Sequence, residues 1–406
     1  MNSQNNLKNN FIFNICMIFG AATIAPTALF APLGTWIPLA ICAIGAITSK
    51  QSKSLFIGLK DHTTLILIAI IFWTTLSTFW TSNINTSFLN TSGLLGVTLA
   101  GFLVFQTIKC SDLAQMFSKI MIVSFLFTSI FILVDVNFHL GIRPWLSHFF
   151  DPNQDTEWYG YRNAYYSRGK SAILILSFAV CCLLWKKSKK KAFMLLTVSI
   201  FCIVYDPIPK SIIAASIASI ITFMLVLLFK RTPVIILSIF IPIFMIVSPL
   251  AISKYEKEVS SSLDGINLSI THRKEIWIWI TKKISEKPII GHGYNSSKNI
   301  ADGKKWHVDI ETRGMPSHPH NLTLQIWLEL GLIGILLFSL LFISICVKIL
   351  NLISTDPPKG ALASGLLMTG FSLYHTSYGA WQVWWVAVII FSIIIINSSL
   401  EKKKNS

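Results

Sequence analysis

The sequence predicts an all-α polytopic membrane protein of about twelve transmembrane helices, with a large, partly helical loop on the extracytoplasmic face. Three observations carry that expectation. Of 406 residues, 53% are hydrophobic and only 13% are charged, about half the ~25% charged content of a soluble domain. Apolar runs of about 20 residues recur from Phe11 to Ile396, each long enough to cross a bilayer as a helix. Lysine clusters occupy alternate short connections, as the positive-inside rule requires.

In chain order the spans are expected at about 11–27, 32–48, 62–80, 92–108, 118–137, 170–185, 192–206, 210–229, 233–252, 322–347, 360–376 and 380–397. Lys50, Lys53 and Lys60 follow the second, and Lys109 and Lys119 flank the fourth and fifth. Lys186, Lys187 and Lys189 to Lys191 separate the sixth and seventh; Lys230, Arg231, Lys348, Lys359 and the tail Lys402 to Lys404 complete the set. All fall on one side with both termini, and that side is read as cytoplasmic. Residues 1–252 thus hold the first nine spans, 253–320 a large loop, and 321–406 the last three spans and a basic tail.

The net charge of +16 follows from these loop lysines, so nucleic acid is not an expected partner. The seven cysteines lie in or beside apolar runs, which indicates neither a disulfide framework nor a zinc site. The first apolar run leads almost directly into a second, so it reads as a retained span rather than a cleaved leader. The sequence shows no P-loop, GxGxxG after a strand, HExxH or acidic metal cluster. No metal or cofactor is expected.

Two long connections face the other side, one from Phe138 to Gly169 and one from Ser253 to His320. Loops of that length usually carry function. The first holds Trp158, Tyr159, Tyr161, Tyr165 and Tyr166, suited to interfacial anchoring, and its basic residues Arg162, Arg168 and Lys170 lead into the sixth span. In the second, Ile276, Ile280 and Ile284 fall four apart with Lys282 and Lys283 on another face. That pattern predicts a basic amphipathic helix resting on lipid headgroups, with Trp277 and Trp279 at the interface. Pro288 should end it and Gly291-His292-Gly293 should turn.

The loop closes as Pro316-Ser317-His318-Pro319-His320-Asn321. Pro319 keeps His318 extended, so the tenth span should start near His320. A helix N-terminus disfavours imidazolium, which leaves a neutral imidazole able to act as a general base. Asn321, Gln325 and Glu329 recur every four residues and should share one helix face. Glu329, about two turns into the span, is a carboxylate expected to face the bundle interior.

An Arg opening an amphipathic segment, a Pro and Gly-x-Gly beyond it, then His-x-His-Asn-x-x-x-Gln-x-x-x-Glu-x-Gly-x-x-Gly entering a span resemble the O-antigen ligase superfamily. The likeness is close from Arg273 to Gly334, and the layout of spans agrees with it elsewhere. It implies a glycosyltransferase of the bacterial inner membrane that takes glycan from a polyprenyl-diphosphate carrier on the periplasmic face, without metal. The family's catalytic histidine maps onto His320, with His318 the lesser candidate. Its diphosphate-holding loop arginine maps onto Arg273. A second family arginine falls where this chain has Lys210, which keeps the charge but loses the bidentate fork; a snorkelling lysine is the alternative there. Arg168 is the choice for an auxiliary phosphate contact.

The resemblance implies ligation of O-antigen to lipid A–core first, with O-antigen polymerase and protein O-oligosaccharyltransferase as alternatives. A lipid-glycan transporter would also have twelve spans. However, transport predicts several mid-membrane charges and inverted symmetry, and only Glu329 stands out.

Overall fold

The computed structural model describes residues 2–49, 61–108, 114–138, 162–185, 187–205, 209–254, 268–298 and 318–399, with the isolated positions 142, 145 and 300. Among them are thirteen α-helices and no strand. The helices are α1 (Asn2–Phe30), α2 (Trp36–Thr48), α3 (His62–Ser77), α4 (Ile84–Ile108), α5 (Ala114–Phe138), α6 (Arg162–Trp185) and α7 (Lys189–Val204). They continue with α8 (Lys210–Phe229), α9 (Thr232–Lys254), α10 (Leu268–Glu286), α11 (Leu322–Thr355), α12 (Pro357–Thr376) and α13 (Val383–Ser398).

Every expected span coincides in position with one of these helices, and α10 is the helix expected within the large loop. Eight helices, α1, α3, α4, α5, α6, α8, α9 and α11, are long and apolar enough to cross a membrane; α2 and α13 are apolar but shorter. Several begin earlier than their apolar runs: α1 starts at Asn2, α4 at Ile84 and α6 at Arg162. Trp158, Tyr159, Tyr161, Pro316, Ser317, the lysines at 50, 53, 60, 109 and 186, and the basic tail lie outside the described residues.

The core forms around α6, whose 18-residue apolar window is 83% buried against 22–44% for the other long helices. Small residues make this possible: Ser171, Ala172, Ser177, Ala179, Cys181 and Cys182 are all buried on it, letting α1, α7, α12 and α13 pack close. The periphery is the reverse of a soluble protein. On α9, Ile235, Ile236, Ile239, Phe240 and Ile243 are all exposed, a surface that suits hydrocarbon.

Prolines inside helices free the carbonyl four residues earlier, and in hydrocarbon that group needs a partner. Pro26 frees Ala22, whose carbonyl accepts from Ser124 Oγ on α5 at 2.6 Å. Pro249 frees Met245, whose carbonyl accepts from Trp327 Nε1 on α11 at 2.8 Å. Pro26 and Pro249 thus become points of attachment between helices. Ser219 and Thr369 add a hydroxyl pair at 2.7 Å between α8 and α12.

Three expectations are corrected here. Lys359 is not a solvated loop charge. It is buried, pairs with Asp356 at 3.5 Å and donates to the carbonyl of Ser399. Lys348 lies within α11, which runs on to Thr355, and pairs with Asp61 at 2.7 Å. The apolar face of α10 does not rest on headgroups: Ile276, Ile280 and Ile284 are buried, and the helix packs against α9 and α11.

Candidate active site

The site is organised by a break in α11. Gly331 adopts φ 66°, ψ −161°, inside an otherwise helical segment of 34 residues. A break there strands backbone groups that a helix would pair internally. The turn after α10 takes them up in register. His292 N–H donates to Leu328 O at 2.8 Å and Gly293 N–H to Glu329 O at 2.9 Å. Beyond the break, Leu332 N–H donates to Pro288 O at 2.8 Å and Ile333 N–H to Ile289 O at 3.3 Å. Trp73 Nε1 on α3 donates to the remaining carbonyl, Leu330 O, at 3.1 Å. The two segments touch so closely that only glycine fits. A Cβ on Gly331 would run into the Ile289 carbonyl, and one on Gly291 would lie 2.6 Å from Leu330 N.

Above the break, the Glu329 carboxylate is fully buried and four donors converge on it. They are Asn295 N–H at 2.7 Å, Trp381 Nε1 at 2.6 Å, Gln325 Nε2 at 3.2 Å and the Ser297 hydroxyl. A carboxylate offers about four lone-pair sites, so this one is saturated. It therefore acts as a bolt between α11, the turn at 293–298 and the segment before α13. Gln325 extends the bolt, its Oε1 accepting from Ala380 N–H at 2.9 Å. Asn321 does not share this face. It is the N-cap of α11, its Oδ1 accepting from Leu324 N–H at 3.2 Å, as capping preferences dictate.

The two histidines precede that cap. His318 presents Nε2 and His320 presents Nδ1 to one acceptor, Ser377 O, each at 3.1 Å. A carbonyl only accepts, so those nitrogens carry the protons, and the lone pair of neutral His320 is on Nε2. His318 is buried and His320 is half-buried. His320 also has φ 52°, a left-handed conformation that costs a non-glycine residue about 1 kcal/mol and collects at functional positions.

The segment 375–381 gathers the remaining elements. Thr323 Oγ1 bonds His375 Nε2 at 2.9 Å. Ser377 Oγ donates to Ser211 Oγ at 2.8 Å, which brings the start of α8, and with it exposed Lys210, beside the histidines. Tyr378 OH donates to Ser171 Oγ at 2.8 Å and to Ser167 O at 3.4 Å, straddling Arg168 on α6. From the loop side, Trp277 Nε1 donates to Pro319 O at 3.0 Å. Arg273, half-buried, stands one turn earlier on that face of α10.

The cations converge electrostatically. Burial lowers the pKa of His318, and the charges of Arg273, Lys298 and Arg168 lower it further, against the hydrogen bond to Ser377, which raises it. Arg273 is itself shifted down by burial, but an arginine remains charged at any working pH. All eight expected site residues therefore lie at one end of the helix bundle. Ser377 joins both histidines to the start of α8 beside Lys210, Tyr378 bonds Ser167 and Ser171 around Arg168, Asn321 caps α11, and Gln325 and Glu329 tie that helix to residues 380 and 381. Sequence reasoning missed Ser377, Trp381, Asn295, Ser297 and Ser211. They lie outside the His-rich motif, and nothing in their local sequence announces a long-range partner.

Residues 209–339 match the family model described as O-antigen ligase. That stretch holds the break, the clasping turn and both histidines. The resemblance to O-antigen ligases thus extends over that stretch. The chain is also similar to a Rickettsia felis protein named "Putative polysaccharide ligase", at 29% identity over 240 residues, 56% of this chain and 57% of that one. Similarly named proteins of Rickettsia conorii and Rickettsia bellii match at 36% and 37%, over 32% of this chain and 31% and 32% of theirs. The chain thus spans little more than half of the first relative's length and about a third of the other two. No solved structure matches it. The matched segment includes Lys210, Arg273 and His320 but not Arg168 or residues 375–381.

Proposed function

We propose that this protein transfers a glycan from a polyprenyl-diphosphate carrier to a sugar hydroxyl of lipid A–core, on the periplasmic face of a bacterial inner membrane with both termini cytoplasmic. The observation that carries the reading is His320: a histidine at positive φ, its Nδ1 proton held by Ser377 O, its ring 4.5 Å from that of His318, whose pKa the charges of Arg273 and Arg168 lower. A carbonyl that fixes the tautomer leaves Nε2 as the basic nitrogen, as a general base requires. The family match over 209–339 supports a ligase.

In this mechanism His320 Nε2 takes the proton of the acceptor hydroxyl as its oxygen attacks the anomeric carbon. The bond from that carbon to the diphosphate oxygen breaks on the opposite face, so the configuration inverts. Polyprenyl diphosphate leaves as the anion, and the imidazolium returns its proton to water. Arg273, Arg168 and Lys210 neutralise charge developing on the leaving group, which is the main barrier to its departure. The N-terminus of α8 has no side-chain cap, and its N–H groups add to the attraction for phosphate.

Deleting the gene and complementing with His320→Ala tests this directly. Long polymer stranded on the carrier beside bare lipid A–core, in both strains, is the expected result. Single-repeat caps with no long polymer would make the protein a polymerase. Normal transfer by the His320→Ala protein would remove His320 from the chemistry.

A further inference from the structure

We infer that Ser211, through its hydrogen bond to Ser377, is a positioning residue for His320, holding in place the one carbonyl that sets the tautomer of the base. The inference rests on the reading of His320 as the general base.

Ser377 is the C-cap of α12, with φ −138° and ψ −43°. Its N–H still donates to Leu373 O at 2.8 Å, but its carbonyl lies past the last helical turn, where no intrahelical amide reaches it. It accepts instead from His318 Nε2 and His320 Nδ1, each at 3.1 Å. The oxygen stands at the negative end of a 20-residue helix. That position strengthens it as an acceptor and favours the imidazolium formed when His320 takes a proton. A neutral histidine carries its proton on either ring nitrogen, and the hydrogen bond decides which. An acceptor held at Nδ1 keeps the lone pair on Nε2, free for the incoming hydroxyl.

The Ser377 side chain ties this carbonyl to α8. Its Oγ donates at 2.8 Å to the Oγ of Ser211, in the first turn of that helix. Eight residues away along each helix, Ser219 and Thr369 make a second hydroxyl pair at 2.7 Å. The helices therefore run antiparallel, joined by two rungs about 12 Å apart. The rungs differ in their surroundings. Ser219 and Thr369 are fully buried, and Ala215 and Leu373, midway between the rungs, are buried too. Ser211 and Ser377 are half-buried. The buried rung and the apolar packing hold the two helices in register, so the outer bond is not needed for that. What it holds is the non-helical residue Ser377, and with it the acceptor of both rings.

The test combines nitrogen NMR spectra of histidine-labelled, full-length protein in detergent with turnover of a lipid-diphosphate glycan. The His320 signals are those lost in His320→Gln. Ser211→Ala should lower the share of neutral His320 protonated at Nδ1 and reduce kcat about tenfold or more, with donor KM within about twofold of wild type. Ser211→Thr keeps a hydroxyl and should restore both. Ser219→Ala breaks the buried rung and should lower the melting temperature, with the tautomer and kcat as in wild type. An unchanged tautomer in Ser211→Ala, with transfer by His320→Ala abolished, would overturn the role of Ser211 alone. An equal tautomer change in Ser219→Ala would also overturn it, because loosened helix packing would then be the cause. A rise in donor KM at unchanged kcat would do the same, making Ser211 a contact of the donor. A shifted tautomer with full transfer by both Ser211→Ala and His320→Ala would overturn the reading of His320 as base, and the positioning role with it.

Discussion

Trp381 donates its indole N–H to the Glu329 carboxylate at 2.6 Å, across 52 residues of sequence. This bond ties the segment before α13 to the helix that begins beneath the histidines. It also turns a buried carboxylate, which would be costly alone, into the acceptor at the centre of the site.

Glu329→Gln should therefore destabilise the fold rather than merely alter chemistry. The amide replaces one acceptor oxygen by a donor facing donors, so at least one of Asn295, Ser297 or Trp381 loses its partner. A loss of about 3 kcal/mol or more is expected, read as a lower melting temperature in detergent. Trp381→Phe removes one bond to a charged acceptor and should cost about 2 kcal/mol. Equal stability of Glu329→Gln and wild type would mean that the bolt is not structural.

Gly331→Ala should be among the most damaging single methyl additions in the chain. It forces alanine into φ 66°, ψ −161° and its Cβ into the carbonyl of Ile289, at a cost of about 3 kcal/mol or more. Gly96→Ala is the matched control, because a Cβ there meets nothing within 4 Å; an exposed helical site should gain up to about 1 kcal/mol. Thermal unfolding of the two purified proteins separates them.

Gly379→Ala probes geometry with little change in stability. A Cβ at Gly379 would lie 3.0 Å from His318 Cγ, and the ring must tilt to admit it. The shared acceptor Ser377 O then serves His318 and His320 less evenly. Transfer is expected to fall by about tenfold or more while the melting temperature stays within a few degrees. An unchanged rate would show that the histidine pair tolerates displacement.

The acid–base behaviour of His318 has a definite sign. Burial disfavours its imidazolium, and Arg273, Lys298 and Arg168 disfavour it further. Removing a cation must raise the pKa, so Arg273→Gln should move the His318 titration to higher pH in histidine-labelled NMR spectra. Pyrophosphate binding should move it the same way, because the added anion offsets the cations. A downward shift in either case would contradict the arrangement.

What the sequence disclosed was local. Apolar runs marked the helices, Pro288 and the glycines at 291 and 293 marked the turn, and Ile276, Ile280 and Ile284 marked a face that is indeed buried. Asn321 stood at the right place for a cap, although its spacing with Gln325 and Glu329 suggested a shared face instead. The undisclosed features depend on contacts between distant segments. Gly331 lies in a run that reads as unbroken helix, and its conformation is decided by Ile289 and Gly291. Ser377 has no motif around it, and it matters because two rings point at its carbonyl. Lys359 looks like any loop lysine until Asp356 and Ser399 are found beside it.

The clasp at Gly331 has a consequence for biogenesis. Synthesis is vectorial, and the turn at 288–293 leaves the ribosome about forty residues ahead of the glycine it will meet. To the insertion machinery, Leu322 to Thr355 is one apolar rod of 34 residues. Its bend has no satisfied form until the earlier turn docks to receive the carbonyls of Leu328 and Glu329. The receptacle is made before the piece it receives. Assembly of the site is therefore a late maturation step, completed once the helix and the waiting loop meet and closed by a segment that emerges after both, the one carrying Ser377 and Trp381.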